Sequence, residues 1–400
     1  MSTAIGKSAI VAGAGSAGLV AALALARQGI SVSLVGAMGE MSVGRTVALF
    51  DSSVRLLDEF GVWQGVAKHA APLRALRIID DTDNLFRWRP LTFEAREIGL
   101  EAFGWNVDLS VLNAALRSVA QSVPAIHMVE GFAEDAFFDA DRAGCRVGGQ
   151  SLEAELIVAA DGQRSRLREA AGIQARLERL PQWALTGIFH HELPHENVSS
   201  EFHTREGPCT LVPLASTSSG VGRREVSSLV WMVRSARAKT LKALDEDAFA
   251  LAVERRVHSL LGKMRLASAI GAVPLAIVHV ASIRGPRLAL VGEAAHAFPP
   301  IGAQGLNLGL RDAAGLAALA GEAARDGRDI GAPALLDAYE DARANDIATR
   351  SAAVTLMNRS LLSPFLPFDL VRGFGMAALD LIGPLRRFVM REGVAPGFGR

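Results

Sequence analysis

Gly292-Glu293 follows the apolar run Leu288-Ala289-Leu290-Val291 and presents a carboxylate where a buried strand would stop. Pro299 and Pro300 come next, each with φ fixed and neither able to donate an N–H, so this turn is stiff. Gly302-Ala303-Gln304-Gly305 then lets backbone come close to a ligand. Beyond it Leu306, Leu310, Ala314, Ala317 and Ala318 fall near helical spacing, so the loop feeds a helix N-terminus. Free N–H groups and a partial positive charge at that end suit a flat, anionic or electron-rich group. An ordinary strand–loop–helix connection carries the same pattern, and this stretch alone does not separate the two.

A second constellation is Gly13-Ala14-Gly15-Ser16-Ala17-Gly18, between a short apolar run at 8–12 and an Ala/Leu helix ending near Gln28. Gly29 closes that helix, and Ile30-Ser31-Val32-Ser33-Leu34-Val35 alternates as the next strand. GxGxxG in a strand–turn–helix–strand context predicts a dinucleotide site. Gly13 makes the tight turn, Gly15 lets backbone approach a pyrophosphate, and Gly18 lets helix and strand pack closely. The acid that usually ends the second strand and holds the ribose is missing. Gly36 stands there, and Glu40 on the following loop is the nearest replacement. Arg45, just beyond, can donate charge-assisted hydrogen bonds to phosphates, although a plain surface arginine fits its position equally well. A third pair, Asp161-Gly162, ends the buried run Leu156-Ile157-Val158-Ala159-Ala160, with Ser165 opening the next helix.

The elements that must carry these groups follow from pattern. Helices are expected at 52–60 (capped by Asp51 or Ser52), 110–119, 245–261 and 334–351, and strands at 76–79, 85–88, 126–129 and 272–282. Residues 181–234 change character: 189–202 and 211–233 are rich in strand formers, with 216–224 a loose polar hairpin loop. The predicted fold is α/β with an α+β insert. A Rossmann-like parallel-sheet domain takes 1–72, 97–180 and 273–355, and a mixed or antiparallel sheet domain takes 73–96 and 181–272. A helical tail takes 356–400. Leu211, Pro213 and Trp231 are candidate cavity lining, with core packing the alternative for the tryptophan. His190, His191, His195 and His203 fit no metal-ligand spacing and read as packing or solvated residues, so no metal is expected. In the tail Leu370, Val371, Phe374, Ala377, Ala378, Leu381 and Leu385 follow helical spacing toward Arg386, Arg387 and Arg391. Such a basic amphipathic helix lies on a membrane surface or, as we prefer here, packs on its own domain.

Composition narrows the class. Half of the 400 residues are apolar and Gly is abundant, so a large core is available. Lys+Arg and Asp+Glu balance at 42 each, which leaves no basic footprint for nucleic acid. Cys145 and Cys209 stand alone, disfavouring a disulfide framework and suggesting a reducing, cytoplasmic setting. Residues 9–26 mimic a signal-peptide core, but three glycines interrupt them and a strand-like run follows at once.

Each island is weak alone; in this order the three resemble the FAD-dependent aromatic hydroxylases of the para-hydroxybenzoate hydroxylase type, over nearly the whole chain. Within that superfamily GRTVALFDSSVRLLDEFGVW, GPCTLVPL with SSLVWMV, PPIGAQGLNLGLRDAAGLA and PLRRFVMREG are most similar to the ubiquinone-biosynthesis hydroxylases. The resemblance implies an NAD(P)H- and O₂-dependent monooxygenase that hydroxylates an electron-rich ring, a polyprenyl phenol, through a flavin C4a-hydroperoxide. It implies that Gly13, Ala14, Gly15, Ser16, Ala17 and Gly18 hold the FAD pyrophosphate with Arg45 nearby, and that Asp161-Gly162 serves both FAD and NAD(P)H. Gly292-Glu293 matches the pair whose aspartate bonds the ribityl chain, so Glu293 is a departure, as is Gly36. Ala303, Gly305, Leu306 and Asn307 match backbone facing the isoalloxazine, and Pro299 and Pro300 the loop at its reacting face. His296, in the same loop, reads as structural rather than proton-transferring. Implied partners are a small aromatic substrate, a membrane surface or ubiquinone-biosynthesis assembly touched peripherally, and a second copy in a homodimer. Two alternatives stay open: a hydroxylase of a small aromatic acid or polyketide, and a non-catalytic flavin- or quinone-binding accessory protein.

Overall fold

The strand of the glycine fingerprint, Ser8–Ala12, lies inside a six-stranded sheet in the computed structural model, which describes residues 7–37, 39, 44–82, 89–219, 222–362, 375 and 377–394. Across that sheet run Arg284–Gly285, Leu288–Leu290, Leu156–Ala159, Ser8–Ala12, Ser31–Gly36 and Ile126–Glu130. All neighbours are parallel except the first pair, with Ile10 opposite Ile157 and Val11 opposite Leu34. Parallel strands covered on both faces need unbroken apolar sequence, which is why Ile10, Val11, Ile157, Val158, Leu288 and Leu290 are all buried. The helix Ser16–Arg27 returns from Ser8–Ala12 to Ser31–Gly36 and is buried along most of its length, as its Ala/Leu composition requires. Gly29, at φ +79°, closes it.

The second sheet is mostly antiparallel and carries the central trio Ala175–His191, Gly222–Arg234 and Gly207–Ser219, extended by Val198–Thr204, Ala75–Asp80 and Leu91–Glu94. Successive side chains leave opposite faces. Leu185, Phe189, Cys209, Trp231 and Val233 face out and form a core with Leu241, Phe249 and Val253 of the helices Ser235–Lys242 and Glu246–Arg256. Ala184, Met232 and Leu275 face in, toward Ile301 and Val354 of the first domain. Asn106 and Thr46 bind across this junction: Asn106 Nδ2 donates to Pro213 O at 2.8 Å, and Thr46 Oγ1 to Ser228 Oγ at 2.8 Å.

Several boundaries differ from expectation. The division at 180/181 falls inside the single strand Ala175–His191, and that at 272/273 inside Gly271–Val280, because both strands pair with one another and leave the first domain together. The helix expected at 334–351 runs from Pro333 to Leu362, across the division at 355/356. Asp51 is not a cap: Phe50 holds the N-cap position of Asp51–Glu59, and Asp51 instead pairs with Arg55 at 2.8 Å. The helix expected to reach 261 stops at Arg256, since His258 and Ser259 take left-handed φ near +50° (52° and 51°). The supposed loose loop at 216–224 is mostly strand, up to Ser219 and again from Gly222. The strand expected at 85–88 lies outside the described residues, as do Glu40, Leu370, Val371 and Phe374.

Tyr339, the chain's single tyrosine, is fully buried and donates from its hydroxyl to Leu290 O at 2.8 Å, tying the long helix Pro333–Leu362 to the end of the strand that leads to Gly292. Tyr339→Phe is expected to cost about 1 kcal/mol of stability. A lowered urea midpoint with unchanged slope is the check; an unchanged midpoint would mean that this bond adds nothing net.

Candidate functional site

The glycine turn is built as its spacing demands, each glycine for a different reason. Gly13 sits at φ +120°, and a Cβ there would overlap Ala160 O at the end of Leu156–Ala159. At Gly18 a Cβ would overlap Gly13 O, so only glycine lets the helix leave this closely. Gly15 is the contrast: a Cβ there meets nothing within 4 Å, so the space in front of the turn is open. The Ser16 hydroxyl turns away to donate to Asn113 Oδ1 at 3.0 Å. A side chain at Gly36 would meet Ala14 N at 2.5 Å and Ala14 Cβ at 2.6 Å. The ribose acid is therefore missing because the backbone is too close for any side chain there.

The Gly292-Glu293 turn packs onto the same unit. Gly292, at φ +59°, would put a Cβ 3.1 Å from Ala17 Cβ, and a Cβ at Gly309 would lie 2.9 Å from Gly292 Cα. Three small residues thus join the fingerprint helix, this turn and the helix Gln304–Arg325. Glu293 is exposed and makes no hydrogen bond among the described residues. The Asp161-Gly162 turn is tied in by a residue that sequence pattern did not flag. Arg168 is buried and donates to Ala294 O and Gln163 O, both at 2.8 Å. Asp161 Oδ2 accepts from Arg166 N–H at 2.9 Å, so this carboxylate caps Arg166–Ala170 together with Ser165.

The start of Gln304–Arg325 is held in an uncommon conformation. Ala303, its N-cap, takes φ +53° after Gly302 at +64°, and no side chain caps the first turn. Asn307 is fully buried and uses its whole amide: Nδ2 donates to Ala48 O at 2.8 Å and Ala303 O at 2.7 Å. Its Oδ1 accepts from Phe50 N–H at 2.9 Å and Ser53 Oγ at 2.7 Å. The side chain therefore locks the helix start to the strand Thr46–Phe50, which follows exposed Arg45. Gly305 has open space where a Cβ would stand, Pro299 is buried and Pro300 exposed. Uncapped N–H groups, a fixed left-handed N-cap and two open glycine positions fit a flat anionic group along this edge and a pyrophosphate at Gly15.

Leu211 and Trp231 stand on the side of the sheet away from this loop, where Leu211 lines a cavity with His195, Ser227, Leu260 and Leu261. Both lie in the outer core beneath the helices Ser235–Lys242 and Glu246–Arg256, because their parity along the strands sends them away. Buried Pro213 lends the junction its carbonyl, to Asn106. The face toward Phe298 and Ile301 is instead Ala184, Met232 and Leu275. His191 and His195 pack ring to ring with centroids 5.9 Å apart, His191 also meeting Leu193 O and Ser227 and His195 meeting Leu214 O, whereas His203 meets Glu201.

His296 is buried with Nε2 2.6 Å from Asp312 Oδ2, and Asp312 is fully buried. Asp312 also accepts from Gly292 N–H at 3.1 Å and Arg343 Nε at 2.8 Å. Burial pushes its carboxyl up, but His296 and Arg343 outweigh that and hold it below its usual value. The signal was in the sequence: Asp312 interrupts the apolar spacing Leu308–Leu316 at a position whose neighbours are core. Asp346 behaves alike: burial raises it, but Arg311, Arg350 and Arg343 hold it at about 2.

Gly15→Val is expected to abolish FAD retention while the chain stays folded, since the side chain would fill the open approach to the turn. Near-normal flavin occupancy in the folded variant contradicts this. A lowered folded-state value at Asp346 means that its stabilisation is complete above its ordinary 3.8 and is lost as pH falls through about 2. Urea midpoints should therefore fall more steeply with acid in the unmodified chain than in Asp346→Asn. Parallel pH curves contradict the coupling.

Residues 7–353 match the family model described as an FAD binding domain. The ubiquinone hydroxylase of Rhodospirillum rubrum is 32% identical over 391 residues, covering 96% of this chain and 88% of that protein. The 3-demethoxyubiquinol 3-hydroxylase of Escherichia coli is 28% identical, covering 95% and 96%. Among solved structures, p-nitrophenol 4-monooxygenase of Pseudomonas putida shares the fold at TM-score 0.76, 18% identity and 97% coverage of both chains. With the glycine turn, the Gly292 turn and the helix start gathered around one open edge, these matches place the chain within the FAD-binding family of flavoprotein monooxygenases.

Proposed function

We propose that this chain hydroxylates the aromatic ring of a polyprenylated phenol in ubiquinone biosynthesis, using NAD(P)H and O₂. Its ubiquinone-hydroxylase relatives support the pathway, and one structural observation carries the substrate class. Where the inward face of the second sheet meets the Phe298–Ile301 loop, an apolar cluster of Ala184, Met232 and Leu275 with Ile301, Val354 and Met357 adjoins the neutral buried pair Gln182–Asn358, with no cation among them. A small carboxylated substrate needs a cation or helix N-terminus for its charge, because an unpaired buried carboxylate is costly. A prenyl tail needs only apolar surface.

FAD supplies the redox and oxygen-activating chemistry when bound. The chain's own residues orient it. Backbone N–H groups of Gly13–Gly18 take the pyrophosphate, with Arg45 as the charged donor beside it and Asp161-Gly162 closing the same edge. Glu293, exposed and with one methylene more than the family's aspartate, takes the ribityl hydroxyls. The first turn of Gln304–Arg325, at Gly305, Leu306 and Asn307, would offer its N–H groups and the helix's positive end to an electron-rich edge of the flavin ring. Pro299 and Pro300 stiffen the loop over the reacting face and, with Phe298 and Ile301, keep water from it.

The terminal helix Gly383–Val394 supports a membrane-side entry. Ile382, Leu385, Phe388 and Val389 form an exposed apolar stripe next to exposed Arg387 and Arg391, and among the described residues no helix is long and apolar enough to cross a membrane. Such a stripe rests on a lipid surface rather than spanning it.

Binding of phenols is expected to tighten as the prenyl tail lengthens, each buried CH₂ contributing at most about 0.8 kcal/mol. Affinities and NAD(P)H oxidation with matched hydroxylated product, measured across a tail series, test this. A flat series with strong binding of a tail-less aromatic acid would favour a small-acid hydroxylase. Finding neither NAD(P)H oxidation nor hydroxylated product with any phenol would leave the accessory reading standing.

A further inference from the structure

Behind the first turn of Gln304–Arg325 lies a cluster of charges that the proposed mechanism does not use. Asp312 binds Arg343, and Arg343 Nη2 reaches Asp346 Oδ2 at 2.9 Å. Asp346 is also held by Arg311 Nε at 2.9 Å and by Arg350 Nε at 2.7 Å. Three guanidinium groups thus face two carboxylates in a region where Asp312, Arg343 and Arg350 are all buried. Buried ions are costly unless paired, and replacing such a cluster by apolar residues is often neutral or stabilising. A buried excess of positive charge therefore asks what anion balances it.

Arg350 shows where the excess points. Its Nη1 donates to Gln304 Oε1, on the first residue of the helix whose N-cap offers no side chain. Its Nη2 donates to Glu392 O in the terminal helix at 3.2 Å. One guanidinium thereby joins the helix start, the long helix Pro333–Leu362 and the terminal helix Gly383–Val394. The helix N-terminus adds partial positive charge of the same sign at the same place.

We infer that Arg350 is a positioning residue for the ring end of the FAD site, and that through it the terminal helix forms part of that site's support. The inference rests on the proposed reading that the first turn of Gln304–Arg325 faces an electron-rich edge of the flavin ring. Arg350 holds that turn in place through Gln304, and the cluster to which it belongs, three guanidinium groups against two carboxylates, favours the anionic reduced ring over the neutral oxidised one. The three bonds of its fork explain why arginine rather than lysine stands here.

The test compares the full-length chain with Arg350→Gln, Arg350→Lys and Gly305→Val, reading FAD dissociation constant, flavin midpoint potential by dye equilibration, and melting temperature. Arg350→Gln should bind FAD on the order of tenfold more weakly and shift the midpoint to more negative potential. Arg350→Lys should recover most of the potential, because it keeps the charge, but not the affinity, because it lacks the fork. A role in packing alone would lower the melting temperature and leave the potential where it was. Folded Arg350→Gln with unchanged potential and affinity overturns the inference. If Gly305→Val also leaves flavin spectrum and affinity untouched, the reading of the first turn itself has failed; if it perturbs them, only the role of Arg350 has. Should Arg350→Gln not fold, Gln304→Ala cuts the same link from its outer end with the ions still paired. Weaker FAD binding at an unchanged melting temperature then supports the inference, and unchanged affinity overturns it.

Discussion

Everything in the site depends on backbone segments approaching more closely than a side chain would allow. Gly13 and Gly18 admit each other and Ala160, and Gly292 admits Ala17 and Gly309. These approaches bring segments near residues 13, 161 and 292, distant in sequence, to one edge of the six-stranded sheet. Open α/β sheets bind ligands outside the carboxyl ends of their strands, and that is where the turns after Ser8–Ala12, Leu156–Ala159 and Leu288–Leu290 gather. The same crowding removes the ribose acid, since Ala14 lies against Gly36; in the proposed reading the turn, the helix starts and the carboxylate of Glu293 hold the cofactor instead.

Polar locks then fix what the glycines bring together. Asn307 spends four hydrogen bonds on anchoring one helix start, and Arg168 ties two turns to each other. Asp312 fixes the Gly292 N–H directly while holding His296 and Arg343. None of these side chains needs to touch substrate. They narrow the conformations of the backbone groups around the candidate site, which matters most at Ala303, where a left-handed non-glycine residue persists because its surroundings over-determine it.

How much of this was legible depended on whether the signal was local. Glycine spacing and apolar runs are local, so the sheet order's main strands, the fingerprint and the helix after Gly305 could be read directly. The alternation that decides which side of the second sheet faces the site is also local, but its phase is not. Trp231 and Met232 are neighbours, and only the packing of the helices at 235–256 shows which one turns outward. Long-range ion pairs such as Asp312–Arg343 leave no spacing to read, although a charged residue at a core position of an otherwise apolar helix face pointed to them. The strand Ala175–His191 runs through the expected division at 180/181, and its pairing with Gly271–Val280 is a long-range feature that leaves no local signal.

Whether the three sequence-distant turns make one site for a whole dinucleotide is tested most directly by calorimetric titration of the apo chain with FAD and, separately, with FMN. Joint binding predicts one FAD per chain with quenched flavin fluorescence, and far weaker FMN, because FMN lacks the adenosine half and the pyrophosphate that the Gly13–Gly18 turn would grip. FAD that is not taken up, or FMN that binds as tightly as FAD, would contradict it.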